Sequence, residues 1–572
     1  MATSAPSEQF GVQLAGKEDA MMGMTRSMVS MQTFQEAKAD YEAVFEKFKG
    51  AEDTPEYRDA LTKCHEKNAQ KAASIVRVQR GLYVKAAQFV CSLKGGTGDA
   101  GIPFQYTQAL REFMDHAPNK PIKDMAPALK ECMKLGDWPD AALTAETDLL
   151  EIDELPIASA SLAQVHRAVA RRGNKKVAVK IQYPQLQKEM ASDFAVFRTM
   201  ATTMKPGGYD LMWIVTDFEK YLSRELDFEL EAQNAVATSQ QLRHRAPVVF
   251  VPEVMTDMSS KMVMTMEFCD DLIKADDPDG LRAAGLDVME CAQLLCDTFA
   301  EMIFIHGRVH ADPHAGNVHF RVLEDKPLFG EQKEGSKRNK KKPQLVILDH
   351  GLYHNLQEND VRFHFCKYWR ACCSKDGTTM QKIGDRFAGP LHRFLPLILS
   401  TYFVFGGSGA TLSEIIAASK GQLPSTVSLK DVADFIVATR EGGANLIGLV
   451  HSLGYTRGLL NALGFPEEKR ISSMLNFATL GDAHIPAPMP SELSRVQLFR
   501  NRWHMFCLCS HIRILAPVCA PLIKYGSAER APPLWLLMSF PVVLVASGVA
   551  ASLVAWRSMS ASSFSLPSFV RS

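Results

Sequence analysis

The amino-acid sequence predicts a bilobal α+β fold, and three observations carry that prediction. Short β-branched runs cluster between residues 156 and 270. Helical periodicity precedes and follows them, so the strands and helices are segregated rather than alternating. The chain has 572 residues, long enough for about three or four units and too long for one ordinary core.

Composition narrows the partners. Lys and Arg number 64 and are matched by 64 Asp and Glu, so the overall charge predicts no nucleic-acid partner. The 12 cysteines are scattered without a CxxC pair, which argues against structural zinc and thioredoxin-like chemistry and for reduced, buried thiols.

Residues 1–32 read as a flexible, Met-rich leader. They lack a secretory apolar core, and Lys17 and Arg26 are opposed by Glu8, Glu18 and Asp19, which makes a poor transit peptide. Residues 33–155 form a helical extension. Phe34, Tyr41, Phe45 and Phe48 recur at helical spacing, and later helices are separated at Pro103, Pro118, Pro121 and Pro139.

Residues 156–270 form the first lobe. The runs 157–166 and 176–181 alternate like strands around Arg171-Arg172-Gly173-Asn174, a hairpin signature with a Gly-Asn turn. Helical spacing resumes over about 186–243 and gives way to strand-like runs at 249–254 and 262–266. Residues 271–480 form the second lobe. They open on an apolar helix over 288–306 and are helical again beyond Asn355. The Lys-rich insertion 322–343, with Lys333, Lys337, Lys340, Lys341, Lys342 and Arg338, reads as a solvated loop suited to weak contact with anionic lipid.

Residues 481–572 form a C-terminal region. From Leu534 to Trp556 the chain carries no charge over 23 positions, enough to cross a bilayer, with Trp535 and Trp556 at the ends. This predicts a transmembrane helix over 534–556. The apolar stretch 505–523 contains His511, Arg513 and two prolines and reads as a buried or interfacial segment.

The chemistry concentrates in Val309-His310-Ala311-Asp312-Pro313-His314-Ala315-Gly316-Asn317 and Leu345-Val346-Ile347-Leu348-Asp349-His350-Gly351. Phosphoryl transfer needs a carboxylate to orient the attacking group, here Asp312. It also needs an amide and a carboxylate for Mg²⁺, here Asn317 and Asp349. A third part is a lysine fixed by a carboxylate, and Lys180 at the end of Val177-Ala178-Val179 supplies it. The candidate carboxylate lies in the stretch 223–234, where Asp227, Glu231 and Asn234 fall on one helical face. Ala158-Ser159-Ala160-Ser161 stands where a phosphate-binding loop is expected. Its alanines make it stiffer than a Gly-rich loop. Glu267 and Cys269, after the 262–266 run, complete the nucleotide-contacting set. His310, His314 and His319 match no standard zinc spacing, and a hard, oxygen-seeking cation suits Asn317 and Asp349 better.

Together these motifs resemble the UbiB-like, aarF-domain-containing family of atypical kinase-like proteins. The resemblance runs from about residue 75 to 360. It includes Lys85-Ala86-Ala87-Gln88 for the family's Lys-x-Gly-Gln, the Ala158–Ser161 loop and Lys180. It also includes Glu225-Leu226-Asp227 for Glu-x-Asp, with Glu231 as the partner of the lysine, and the Asp312 and Asp349 motifs. The Asp349-His350-Gly351 ending resembles a mitochondrial branch linked to lipid homeostasis.

The resemblance implies a bilobal protein-kinase-like fold with an N-terminal helical extension over the active site. There Lys85 and Gln88 face Glu225 and Asp227 in a regulatory role, on ground a peptide substrate would occupy. It implies ATP or ADP with Mg²⁺ as cofactors, ATPase or small-molecule phosphotransfer, and membrane lipid or lipid-handling proteins as partners. With the 534–556 helix it implies a mitochondrial inner-membrane location. Ala87 and Ala315 depart from the family pattern, and no Ala-Pro-Glu follows Asp349 at the usual distance. Two alternatives stand beside this expectation: a weakly active pseudokinase acting as a nucleotide-gated scaffold, and a small-molecule kinase akin to the aminoglycoside and choline kinases.

Overall fold

A computed structural model describes residues 17–51, 54–92, 103–113, 120–135, 147–160, 162–203, 212–323, 341–357, 360–389, 395–400, 402–405, 446–482 and 493–509, with Trp138, Leu143 and His392. Helices open the chain. Lys17–Lys47 pairs with Pro55–Gln79, and Gly81–Ser92 follows at once. Thr54 starts the second helix by accepting from the Tyr57 N–H at 3.3 Å, with Pro55 at its first position.

The expected flexible leader is corrected here: residues 17–32 are the first turns of a helix, and residues 1–16 lie outside the described residues. The helix is held far along the sequence. Arg26 donates to the Gln79 carbonyl at 2.8 Å and to fully buried Asp193 at 3.0 Å.

The first sheet contains β1 (Leu149–Ile152), β2 (Ala158–Ser159), β3 (Ala163–Ala170), β4 (Lys175–Gln182) and, after β5 (Val249–Phe250), β6 (Val263–Glu267). Its order is β1-β3-β4-β6, with β2 on the same edge of β3 as β1. The β3–β4 hairpin turns as its sequence predicts. Gly173 and Asn174 take φ of 79° and 51°, a left-handed conformation that Gly and Asn adopt most easily.

The run 157–166 is not one strand. Ala158 pairs with Val165, so the chain doubles back within that run, because Ala160 N–H bonds the Ala163 carbonyl and closes a tight turn.

Alternation along β4 decides where its side chains go. Val177, Val179 and Ile181 are fully buried in one core with Met125, Leu129 and Leu222. Ala178 faces the other way and packs with Phe228 and Met264. Lys180 shares that second face, under the helix Phe228–Gln241.

The second sheet contains β5, β7 (Ile273–Lys274), β9 (Val318–Val322) and β10 (Pro343–Ile347), in the order β5-β10-β9-β7. β5 runs parallel to β10, so the 249–254 run, expected in the first lobe, contributes its strand to the second. A two-residue strand carries no local mark of which sheet it joins. β8 (Arg308–His310) pairs antiparallel with β11 (Tyr353–Asn355). Behind these strands, the capped helix Val288–Glu301 leads into a π-helical turn, Met302–His306, of the kind that often marks functional sites. Gly307 ends that turn at φ 63°, where a Cβ would lie 2.9 Å from Arg362 Cδ. Phe304, Phe365, Trp369 and Phe403 anchor the surrounding helical core.

The expectation of inner-membrane anchoring is corrected. No helix among the described residues is long and apolar enough to cross a membrane. The stretch 534–556, on which that location rested, lies outside the described residues. Apolar helices such as Val288–Glu301 and Leu446–Ala462 are instead short and packed into the second lobe. The 505–523 stretch is helical to residue 509, with Met505, Leu508 and Cys509 buried in the same lobe; the rest of it lies outside the described residues.

Candidate active site

The site forms where the two sheets meet. Lys180, from β4, places its ammonium 2.8 and 2.9 Å from the two Glu231 oxygens and 2.8 Å from Asp349 Oδ2. The ammonium also lies 4.9 Å from the centre of the Phe228 ring. Glu231 is 1% exposed, and the helix Phe228–Gln241 aims it at the lysine.

Burial opposes charge at all three groups, and mutual attraction decides the outcome. Asp349 overcomes burial through Lys180 and the Gly351 N–H, so its carboxyl is held well below the usual carboxylate range. Lys180 overcomes it through Asp349 and Glu231, and its pKa is raised. For Glu231, burial together with the Asp349 charge outweighs Lys180 and raises the carboxyl.

The β9–β10 hairpin joins the two metal candidates. Ile347 lies opposite Val318, and the Leu348 N–H donates to the Asn317 carbonyl at 2.9 Å. Asn317 Nδ2 donates to the Asp312 carbonyl at 3.0 Å, which leaves Oδ1 as its atom for a cation.

His310, which the sequence weighed only as a zinc ligand, is the clasp between these loops. Its Nε2–H donates to the Asp349 carbonyl at 2.9 Å, and its Nδ1 accepts the Asp312 N–H at 3.2 Å. Burial lowers its pKa, in keeping with a neutral ring. His314 turns its Nδ1 to the Gly316 N–H at 2.9 Å and holds Nε2 3.8 Å from Asp312 Oδ2.

A magnesium ion fits this donor set. Asp349 and Asn317 offer hard oxygen atoms. Among the described residues, no group of three or more His, Cys, Asp or Glu side chains could hold a metal by itself. A cation here would therefore take its remaining oxygens from phosphate and water, as magnesium commonly does.

Further residues complete the network. His350 Nε2–H donates to the Ile347 carbonyl at 3.2 Å, and Tyr353 Oη donates to His350 Nδ1 at 2.8 Å. Burial pushes His350 down to about 3. Asn234 Nδ2 donates to the His350 carbonyl at 2.9 Å, and its Oδ1 accepts from Arg308. The helix Leu446–Ala462 brings Tyr455 beside His314, with the rings 6.4 Å apart.

The residues expected to be regulatory are only partly brought together. Lys85, on Gly81–Ser92, forms an ion pair with Glu225. Burial, reinforced by the nearby Asp349 and Asp312 charges, raises the Glu225 carboxyl against the pull of Lys85, so this pair borders the site. Gln88 donates to the Phe113 carbonyl at 2.9 Å.

Asp227 does not share the face of Glu231 and Asn234 as expected. It caps the helix, accepting the Leu230 N–H at 3.0 Å, because an Asp just before a first helical turn satisfies an otherwise orphaned donor. Ala158 and Ser159 lie in β2 and Ala160 in the turn after it; Ser161 lies outside the described residues. Glu267 ends β6, opposite Val177, and Cys269 lies in the link from β6 to β7 that joins the sheets.

Two lobes, a strand lysine paired with a helix glutamate, and two loops clasped by a hairpin define the protein-kinase-like class of fold. Residues 129–384 match the ABC1 atypical kinase-like domain. The chain is 33% identical to an ABC1 protein of Arabidopsis thaliana over 59% of this chain and 60% of that one. It is 29% identical to AarF domain-containing protein kinase 1 of Xenopus tropicalis, over 61% of each chain. A Dictyostelium discoideum protein named as a probable serine/threonine-protein kinase is 29% identical over 75% of this chain and 58% of its own. The chain thus spans about three-fifths of the length of these relatives.

Proposed function

We propose that this chain is a magnesium- and ATP-dependent atypical kinase or ATPase that passes a phosphoryl group to water or to a small or lipid-linked hydroxyl. The observation that carries this reading is the meeting of Lys180, Glu231 and Asp349 beside the coupled Asn317 and Asp312. In this reading Lys180 swings its ammonium onto the α/β-phosphates while Glu231 holds it in place. Asp349 and Asn317 hold the magnesium, and Asp312 orients the attacking oxygen. When bound, the metal would supply charge neutralisation at the phosphate oxygens.

A small acceptor is favoured because the Lys85–Glu225 pair borders Asp312 on the side of the N-terminal helices. Lipid-handling proteins are the proposed partners, and nucleic acid is not among them.

The test is phosphate release and nucleotide binding by the purified chain with Mg²⁺. Asp349→Asn is expected to abolish Mg-dependent ATP binding; unchanged affinity would count against these roles. Asp312→Asn is expected to keep binding and to lose turnover by about 100-fold or more. A second reading, a nucleotide-gated scaffold without turnover, draws on the alanines of Ala158–Ala160. Binding without any phosphate release would select it.

A further inference from the structure

The helix 495–509 carries two apolar faces. One is committed to the fold: Met505 and Leu508 are buried in the second lobe, and Asn501 donates to Asn476 at 3.0 Å. On the opposite face Val496, Phe499, Trp503 and Phe506 follow at spacings of three, four and three residues, which form one stripe. They are 77%, 63%, 40% and 40% exposed, and the Trp503 and Phe506 rings stack with centroids 5.8 Å apart.

Scattered exposed apolar side chains are ordinary, but a continuous aromatic stripe on a docked helix is not. The charges around it choose its partner. Arg495, Arg500 and Arg502 are all exposed, and residues 495–509 include no Asp or Glu. Arg370 lies near Arg500, and Asp482, an acid close by, is bound to Arg370.

We propose that this face rests on an anionic lipid surface, the aromatic side chains entering the headgroup boundary and the arginines meeting lipid phosphates. Aromatic rings on one side and cations at the margins are the pattern of helices that lie in the plane of a bilayer. No spanning segment is needed, and the opposite face stays bound to the protein. The inference is independent of turnover, since a chain without phosphate release would bind vesicles equally well.

The experiment titrates the full chain with phosphatidylcholine vesicles, with and without phosphatidylserine. The expected result is tighter partitioning on the phosphatidylserine vesicles, weakened by salt. Each aromatic side chain withdrawn from water is worth roughly tenfold, so Phe499→Ala with Trp503→Ala should weaken partitioning by about 100-fold. Arg500→Glu with Arg502→Glu, both on the surface, should remove the preference for phosphatidylserine while leaving the melting temperature unchanged. Failure of the wild-type chain to partition would overturn the proposal. So would wild-type partitioning by both double variants, which would assign binding to another segment. A lipid-free dimer that becomes monomeric in the aromatic variant would make the stripe a self-interface and overturn it too.

Discussion

The Leu348 N–H donates to the Asn317 carbonyl at 2.9 Å, which ties the Asp349 loop to the Asp312 loop through the backbone itself. The bond lies at the site end of the β9–β10 hairpin. At the other end the Leu323 N–H meets the Lys342 carbonyl at 2.9 Å and closes the ladder below the basic insertion. The metal candidates are therefore set by strand register, and the insertion joins the hairpin at its remote end.

Replacing residues 324–340 by a short Gly-Ser turn is expected to leave Mg-ATP affinity within about twofold of wild type, because loop length enters stability only logarithmically. Isothermal titration with Mg-ATP checks this. A collapse in affinity would show that the insertion takes part in the site.

Glu231→Gln removes one of two carboxylates that hold Lys180. A wholly orphaned buried charge costs roughly 3–5 kcal/mol, but Asp349 still faces the lysine, so about 2 kcal/mol is expected here. The urea midpoint measures the loss. Nucleotide affinity should fall as well, because Lys180 would be drawn fully onto Asp349.

Stability should decline with acid through His350. Its folded pKa, about 3, lies below the roughly 6.5 of an unfolded imidazole. Between those values the unfolded chain binds the extra proton, so stability is full above about pH 6.5 and is lost as pH falls towards 3. The slope is about 1.4 kcal/mol per pH unit for one histidine. His310 is lowered too and acts in the same direction. Asp193, raised to about 6 by burial against the pull of Arg26, acts in the opposite one. Urea midpoints at pH 7 and pH 5 in wild type and His350→Gln isolate the His350 share; equal pH slopes would refute it.

Arg26→Ala should destabilise the chain by about 2 kcal/mol, since fully buried Asp193 loses its guanidinium. Adding Asp193→Asn should recover part of the loss, because an amide carries no charge to strand. Thermal melts of the two single variants and the double variant give the coupling directly.

The legible parts of this fold were those with a local signature. Alternation over 176–181 marked the strand that ends near Lys180, and Gly173-Asn174 marked the turn before it. Asp312, Asn317 and Asp349 stood out by their chemistry and spacing, and backbone bonds bring their loops together. What failed to show depends on distant neighbours. Arg26 looked like part of a loose leader because Asp193 lies far along the chain. The bonding roles of His310, weighed only as a zinc ligand, and of His350, noted only within the Asp349-His350-Gly351 ending, did not show because their partners are backbone carbonyls, which every residue has. Asp227 was misread through its helical spacing, although an Asp ahead of an apolar turn is itself a capping signal.

The lysine shared between Glu231 and Asp349 has a consequence for the order of arrival. A bare divalent ion reaching Asp349 must compete with an ammonium already seated on Oδ2. Under the proposed function, a nucleotide phosphate would relieve that competition by giving the ammonium another anion. Metal and nucleotide would then strengthen each other's binding by the same factor, so neither should be taken up tightly alone.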